Sequence, residues 1–136
     1  MTSPLSPAAL ADQLFQHLAA GDRRAAADLF APTVDFSIPG PGAPWIPAVD
    51  SPAGMLEFFT RLTDQLEGQQ ITIEKVLTDD AEAVVLGSLA STVRSTGRNI
   101  VSRFALRLGV EEGRINRYWL LEDSWAVAQA LRPADG

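Results

Sequence analysis

The sequence contains no cysteine, which excludes disulfides, thiolate metal ligands and a cysteine nucleophile at once. It contains a single histidine, His17, and one imidazole with no thiolate beside it does not assemble a zinc site. Positive charge is also scarce: 11 Lys+Arg stand against 17 Asp+Glu, giving a net charge of −6 with no basic cluster. Nucleic acids and anionic membranes are bound by neutralising phosphates, so neither is an expected partner. No apolar run approaches the ~20 residues that span a bilayer. The opening MTSPLSPAAL lacks the basic and apolar regions of a secretion signal. There is no GxGxxG and no phosphate loop, and the carboxylates are scattered. The expectation is a cytoplasmic protein with no metal and no cofactor.

What is present centres on IVSRFALRLGVEEGRINRYWLLEDSWAVAQAL, residues 100–131. Phe104, Leu106 and Leu108 alternate with Arg103, Ala105 and Arg107, which reads as a strand. A turn at Glu111-Glu112-Gly113 follows, where Gly113 supplies a positive φ. In the second arm Tyr118 and Leu120 face one way, and Ile115, Trp119 and Leu121 the other. Apolar groups on both faces require cover on both sides: helices on one, a partner subunit or a ligand on the other. A short helix closes the segment, with Asp123 or Ser124 as its cap.

Upstream, Ser6-Pro7 opens a helix striped by Leu10, Leu14 and Leu18, with Phe15 widening the stripe. His17 reads as an ordinary helix residue. Gly21 stops this helix and Asp22 caps the next, whose buried stripe is Ala25, Ala26, Leu29 and Phe30, ending at Pro32. Residues 33–38 alternate as a short strand, Val34, Phe36 and Ile38 against Asp35 and Ser37. The proline-rich PGPGAPWIPAVDSP (39–52) must then be a loop, and a loop of that length bearing Trp45 reads as a lid or as an end plug of the core. Ser51-Pro52 opens a third helix running to Gly68. Strands follow at 70–78 and 82–93, with turns at Asp79-Asp80 and Ser95-Thr96-Gly97.

With 46% hydrophobic residues in 136, the chain is expected to form one domain with a real core, frayed over 1–6 and 133–136. Helices first and a strand meander second is an α+β layout. The predicted architecture is a cone-shaped, curved antiparallel sheet. Three helices of the N-terminal half lie on its concave side, and a short C-terminal helix closes it.

Three stretches then carry a resemblance: LFQHLAAGDRRAAADLFAPTVDFSIPGPG, SPAGMLEFFTRL and EEGRINRYWLLEDSWAVAQAL. In this order they resemble the SnoaL-like branch of the nuclear-transport-factor-like (ketosteroid-isomerase-like) superfamily. The likeness spans nearly the whole chain. It implies the fold but no single activity, since polyketide cyclases, isomerases, dehydratases, epoxide hydrolases and non-catalytic binding domains share that fold. The tyrosine and two acids of ketosteroid isomerases fall near Leu14, Phe36 and Ala105. The Arg-x-Asp pair and further Asp of limonene-epoxide-hydrolase-like members fall near Gly87, Leu89 and Leu120. None of these side chains transfers a proton, which disfavours both mechanisms.

The register implied by the resemblance turns Asp35, Ser37, Gly87, Leu89, Ser91, Ser102, Phe104, Leu106, Asn116, Tyr118, Leu120 and Glu122 inward. SnoaL-type polyketide cyclases are understood to use an acidic residue for proton transfer in an aldol closure. Asp35, Glu122 and Asp123 are the candidates here. Asp35 comes first, as the carboxylate beside the lid, with Tyr118 or Ser37 hydrogen-bonding the oxyanion. Each also has a structural reading: Asp35 facing solvent, Glu122 paired with Arg103 or Arg117, Asp123 as a cap, Tyr118 as core. Substrate contacts are expected from Ser37, Trp45, Phe36, Leu14, Phe59, Leu89, Phe104 and Leu120. A convex face of Ile115, Trp119 and Leu121, beside Ala105 and next to Val84, Leu86 and Ala90, implies a homodimer. Two functions follow. One is cofactor-free proton-transfer chemistry (cyclisation, isomerisation or dehydration) on a hydrophobic, oxygenated small molecule. The other is a non-catalytic dimeric module that binds such a molecule or another protein.

Overall fold

The computed structural model describes residues 4–40 and 46–132; Trp45 lies outside them. Each helix starts at a side-chain cap. Ser6 Oγ accepts from the Ala9 amide at 3.1 Å at the head of α1 (Pro7–Ala19), with Pro7 in the first turn. Asp22 caps α2 (Arg23–Ala27) through Ala25 at 3.0 Å. Ser51 Oγ caps α3 (Pro52–Gln65) through Gly54 at 3.2 Å. Asp123 caps α4 (Ser124–Leu131) through Ala126 at 2.9 Å.

Five strands form one curved, unclosed sheet: β1 (Phe30–Ser37), β2 (Leu66–Thr78), β3 (Glu82–Val93), β4 (Asn99–Glu111) and β5 (Arg114–Glu122), in the order β1-β5-β4-β3-β2. β2 through β5 are antiparallel neighbours, as hairpin links dictate. β1 joins the free edge of β5 in parallel, so the sheet is mixed, antiparallel in every pairing but this one. The link between these two strands carries α3 and three strands, which supplies the long crossover that a parallel pair needs.

Two element boundaries differ from the sequence reading. α2 has only five residues, and Phe30 opens β1 instead of extending the helix stripe. Pro32 is tolerated in β1 because that strand lies at a sheet edge. α3 gives way directly to β2 at Leu66, and Gly68, with φ +61, sits in a register shift of that strand instead of ending the helix.

A third difference moves side chains between faces. Val110 is opposite Ile115 while Gly109 is opposite Arg117, so Asn116 is an extra residue on β5. Ile115 is therefore fully buried in the core instead of on the convex face. Asn116 leaves the concave row, and its Nδ2 donates to Glu111 Oε2 at 3.3 Å. Beyond the bulge the alternation is regular, with Tyr118, Leu120 and Glu122 concave and Arg117, Trp119 and Leu121 convex. The core lies on the concave side, where Leu10 and Leu14 of α1 and Phe58 and Phe59 of α3 meet Val85, Phe104, Leu106 and Leu108. Aromatic rings form its floor: Phe36 stacks on Tyr118 with centroids 5.6 Å apart and meets Phe58 edge-on at 5.0 Å. Such pairs add about 0.5–1.5 kcal/mol each beyond their buried area.

Candidate functional site

A cavity of about 400 Å³ lies between the helices and the concave face of the sheet. Leu14, Phe15 and Leu18 of α1 line it from one side and Phe58, Phe59 and Leu62 of α3 from another; Val127 and Leu131 of α4 bound it as well. The sheet contributes Ile71, Ile73, Leu89, Phe104, Leu106 and Leu120. The wall is thus mainly apolar, as small-molecule sites are, with a few polar groups set into it. Those with no protein partner among the described residues decide what it can do.

Glu122 is the first. Its backbone is opposite Phe104, and its carboxyl lines the cavity without a hydrogen bond or ion pair among the described residues. Burial, with a smaller push from the charge of Asp123, raises its pKa above the ordinary glutamate value of 4.5. Tyr118 is the second. It is buried on the cavity wall, and its hydroxyl has no hydrogen-bond partner among the described residues. Burial first, and the Glu122 charge second, push the phenol pKa far up. It therefore stays a neutral O–H, able to donate to a developing oxyanion throughout the physiological range.

Two further groups that are at least half-buried join them, besides the exposed Gln69 on the lining. Ser91, 5% exposed, has a hydroxyl on the wall with no partner among the described residues. Arg23, half-buried at the head of α2, lines the cavity with no ion pair among the described residues. Ser102, by contrast, is occupied. It donates to the Arg103 carbonyl at 2.6 Å and accepts from the Asp123 amide at 2.8 Å, tying the start of α4 to β4.

Of the predicted site residues, Glu122, Tyr118, Leu14, Phe59, Leu89, Phe104 and Leu120 come together on this wall. Asp35 does not. It is opposite Arg117 in the parallel pairing and its Oδ2 accepts from Arg117 Nε at 3.3 Å, with the side chain 53% exposed on the convex face. Ser37 is opposite Trp119 and shares that face. The reason is strand parity: Phe36, opposite Tyr118, takes the inward position, which forces both neighbours out. Phe36 itself lies behind Tyr118 in the aromatic stack and meets the cavity only through it. Asp123 spends its carboxylate on the α4 cap. Arg23 is not among the residues the sequence singles out, because nothing local separates it from Arg24 beside the capping aspartate. Which of them turns inward depends on how α2 docks.

Residues 11–118 match the SnoaL-like domain family. The chain belongs to that family. No curated protein matches the sequence significantly. Among solved structures, an NTF2-like protein from Burkholderia thailandensis superimposes with a TM-score of 0.84 at 22% identity, covering 95% of this chain and 99% of that one. A candidate SnoaL-like polyketide cyclase from a Jannaschia species gives 0.80 at 15% identity, covering 99% of each chain. An epoxide hydrolase of the LEH-like type from Mycobacterium tuberculosis gives 0.70 at 12% identity, covering 90% of this chain and 86% of the other. At these identities the likeness is one of fold. No helix among the described residues is long and apolar enough to cross a membrane.

Proposed function

We propose that this protein is an enzyme that moves a proton on a hydrophobic, oxygenated small molecule, with Glu122 as the acid–base group and Tyr118 as the oxyanion donor. The observation that carries this reading is an unpaired carboxyl, desolvated and raised in pKa, on the wall of an apolar cavity. A group poised nearer neutrality both takes and returns a proton at useful rates, as abstraction next to a carbonyl followed by reprotonation requires. That sequence serves cyclisation, isomerisation or dehydration alike, and the carboxyl and phenol supply it without a cofactor. The neighbours described as a polyketide cyclase and as an epoxide hydrolase lend the fold to small-molecule chemistry without choosing the reaction. A panel of aromatic and polyketide-like ketones in deuterated buffer tests it, with deuterium uptake beside the carbonyl read by mass spectrometry. Glu122→Gln should slow exchange by on the order of 10²–10⁴, and Tyr118→Phe by a smaller factor. Exchange at the wild-type rate in Glu122→Gln would leave a cavity that binds without reacting, the alternative function.

The same reading includes a homodimer through the convex face. Val101 and Leu121 stand 72% and 55% exposed there, beside half-buried Val84, Leu86 and Ala105. This is a row of apolar side chains that a second copy would cover.

A further inference from the structure

Five basic side chains have no ion pair or hydrogen bond among the described residues: those of Arg23, Arg24, Lys75, Arg103 and Arg132. Arg24, Lys75, Arg103 and Arg132 are exposed, where water satisfies them. Arg23 alone among the five is half-buried, and it alone lines the cavity. The carboxylate nearest in sequence, Asp22, is already engaged with the Ala25 amide at 3.0 Å. In a chain with six more acids than bases, a guanidinium left without a carboxylate against an apolar chamber marks a place for a negative charge from outside. Gly21, exposed and also on the lining, puts the α1–α2 turn where the chamber meets solvent.

We infer that Arg23 holds an anionic group of the ligand at the cavity rim, and that the ligand is an apolar carboxylic acid with its hydrocarbon or ring body inside. A planar guanidinium takes a carboxylate through two parallel N–H···O bonds. A single such group balances a monoanion, whereas a dianionic phosphate would call for more cations than this wall carries. Glu122 lines the same chamber. An acid anchored at the rim therefore offers the uncharged part of its body to Glu122 and keeps its own carboxylate in the half-wet zone. This inference deepens the proposed function and rests on the same cavity.

The test uses a size-matched pair, 4-(1-naphthyl)butanoic acid and its primary amide, titrated by naphthalene fluorescence at low and high salt. Wild type should bind the acid about tenfold tighter than the amide at low ionic strength, as one charge-assisted contact predicts, and added salt should narrow the gap. Arg23→Gln should bring the ratio to about one while leaving the amide affinity within twofold, and Arg23→Lys should keep part of the preference. A wild type that binds both equally, or a preference that survives Arg23→Gln, overturns the assignment. In either case deuterium exchange that still falls in Glu122→Gln leaves the proton-transfer reading standing. Failure of both compounds to bind wild type would remove the cavity reading and this inference together.

Discussion

Glu122 and Tyr118 stand four residues apart on the concave face of β5, close enough that the carboxylate charge helps to hold the phenol in its protonated form. The same cavity that raises the pKa of Glu122 makes ionising it costly to the fold. A carboxyl raised in the folded state favours folding fully below its ordinary value of 4.5, and that contribution is lost as pH rises through the raised value. Glu122→Gln should therefore melt higher than wild type at pH 8, with the gap closing toward pH 4. Thermal scans at both ends check this; an equal gap at the two pH values would mean that the carboxyl is not desolvated.

Asp35→Asn should change little. Its ion pair with Arg117 is half-exposed, and such pairs contribute about 0–1 kcal/mol. Deuterium exchange within about twofold of wild type, with a urea midpoint nearly unmoved, is the expected result. A loss of exchange comparable to that of Glu122→Gln would put the chemistry on the wrong face of the sheet.

Gly87 is a packing requirement of the cavity wall. A Cβ there would come within 2.2 Å of the Thr72 carbonyl oxygen and 3.1 Å of the Phe104 ring. Backbone cannot yield as a side chain can, so Gly87→Ala should cost at least the ~1–3 kcal/mol usual for overpacking, read from urea denaturation. It should also weaken ligand binding by displacing Phe104, which is opposite Gly87 in the sheet.

Ser91→Ala should leave the melting temperature unchanged or raise it. A buried hydroxyl without a partner among the described residues has no hydrogen bond to lose, and removing it lifts a desolvation cost. A drop of several degrees would show that the hydroxyl is satisfied in solution.

The proposed dimer is tested on its surface. A charge introduced at Leu121 or Val101, the two most exposed apolar residues of the convex sheet face, should convert a dimer to monomers in multi-angle light scattering while preserving the melting curve at high dilution. A wild type that is already monomeric at micromolar concentration would leave the convex apolar row uncovered.

Local physics made most of the framework legible in advance. Ser6-Pro7, Ser51-Pro52 and Asp22 mark helix starts by side-chain chemistry that needs no tertiary context, and the regular alternation in β3 and β4 fixed their faces. Illegible features were those that depend on pairing at a distance. Nothing near Phe30 says that it will add to β5 in parallel, so the apolar stripe in the sequence runs past the end of the second helix. In residues 33–38 both faces carry plausible groups, and only the pairing of Phe36 with Tyr118 turns Asp35 outward. The extra residue at Asn116 cannot be counted from one strand, since a bulge exists only relative to its partner. Glu122 was legible as a candidate because it follows the bulge in regular alternation with Tyr118. Arg23 needed the docking of α2.

The bulge at Asn116 also says where this hairpin can change length. Ile115, Arg117 and Tyr118 already stand opposite Val110, Gly109 and Leu108, three consecutive residues of β4, with Asn116 lying outside the pairing. A chain lacking Asn116 would keep the same side chains inside and outside. Loss or gain of a residue anywhere from Arg117 to Glu122, with no compensating bulge, would instead exchange the faces beyond it. When sequences of this family are aligned, a gap at Asn116 is structurally silent; a gap three residues later would send the glutamate to the outside and bring Asp123 opposite Phe104 in its place.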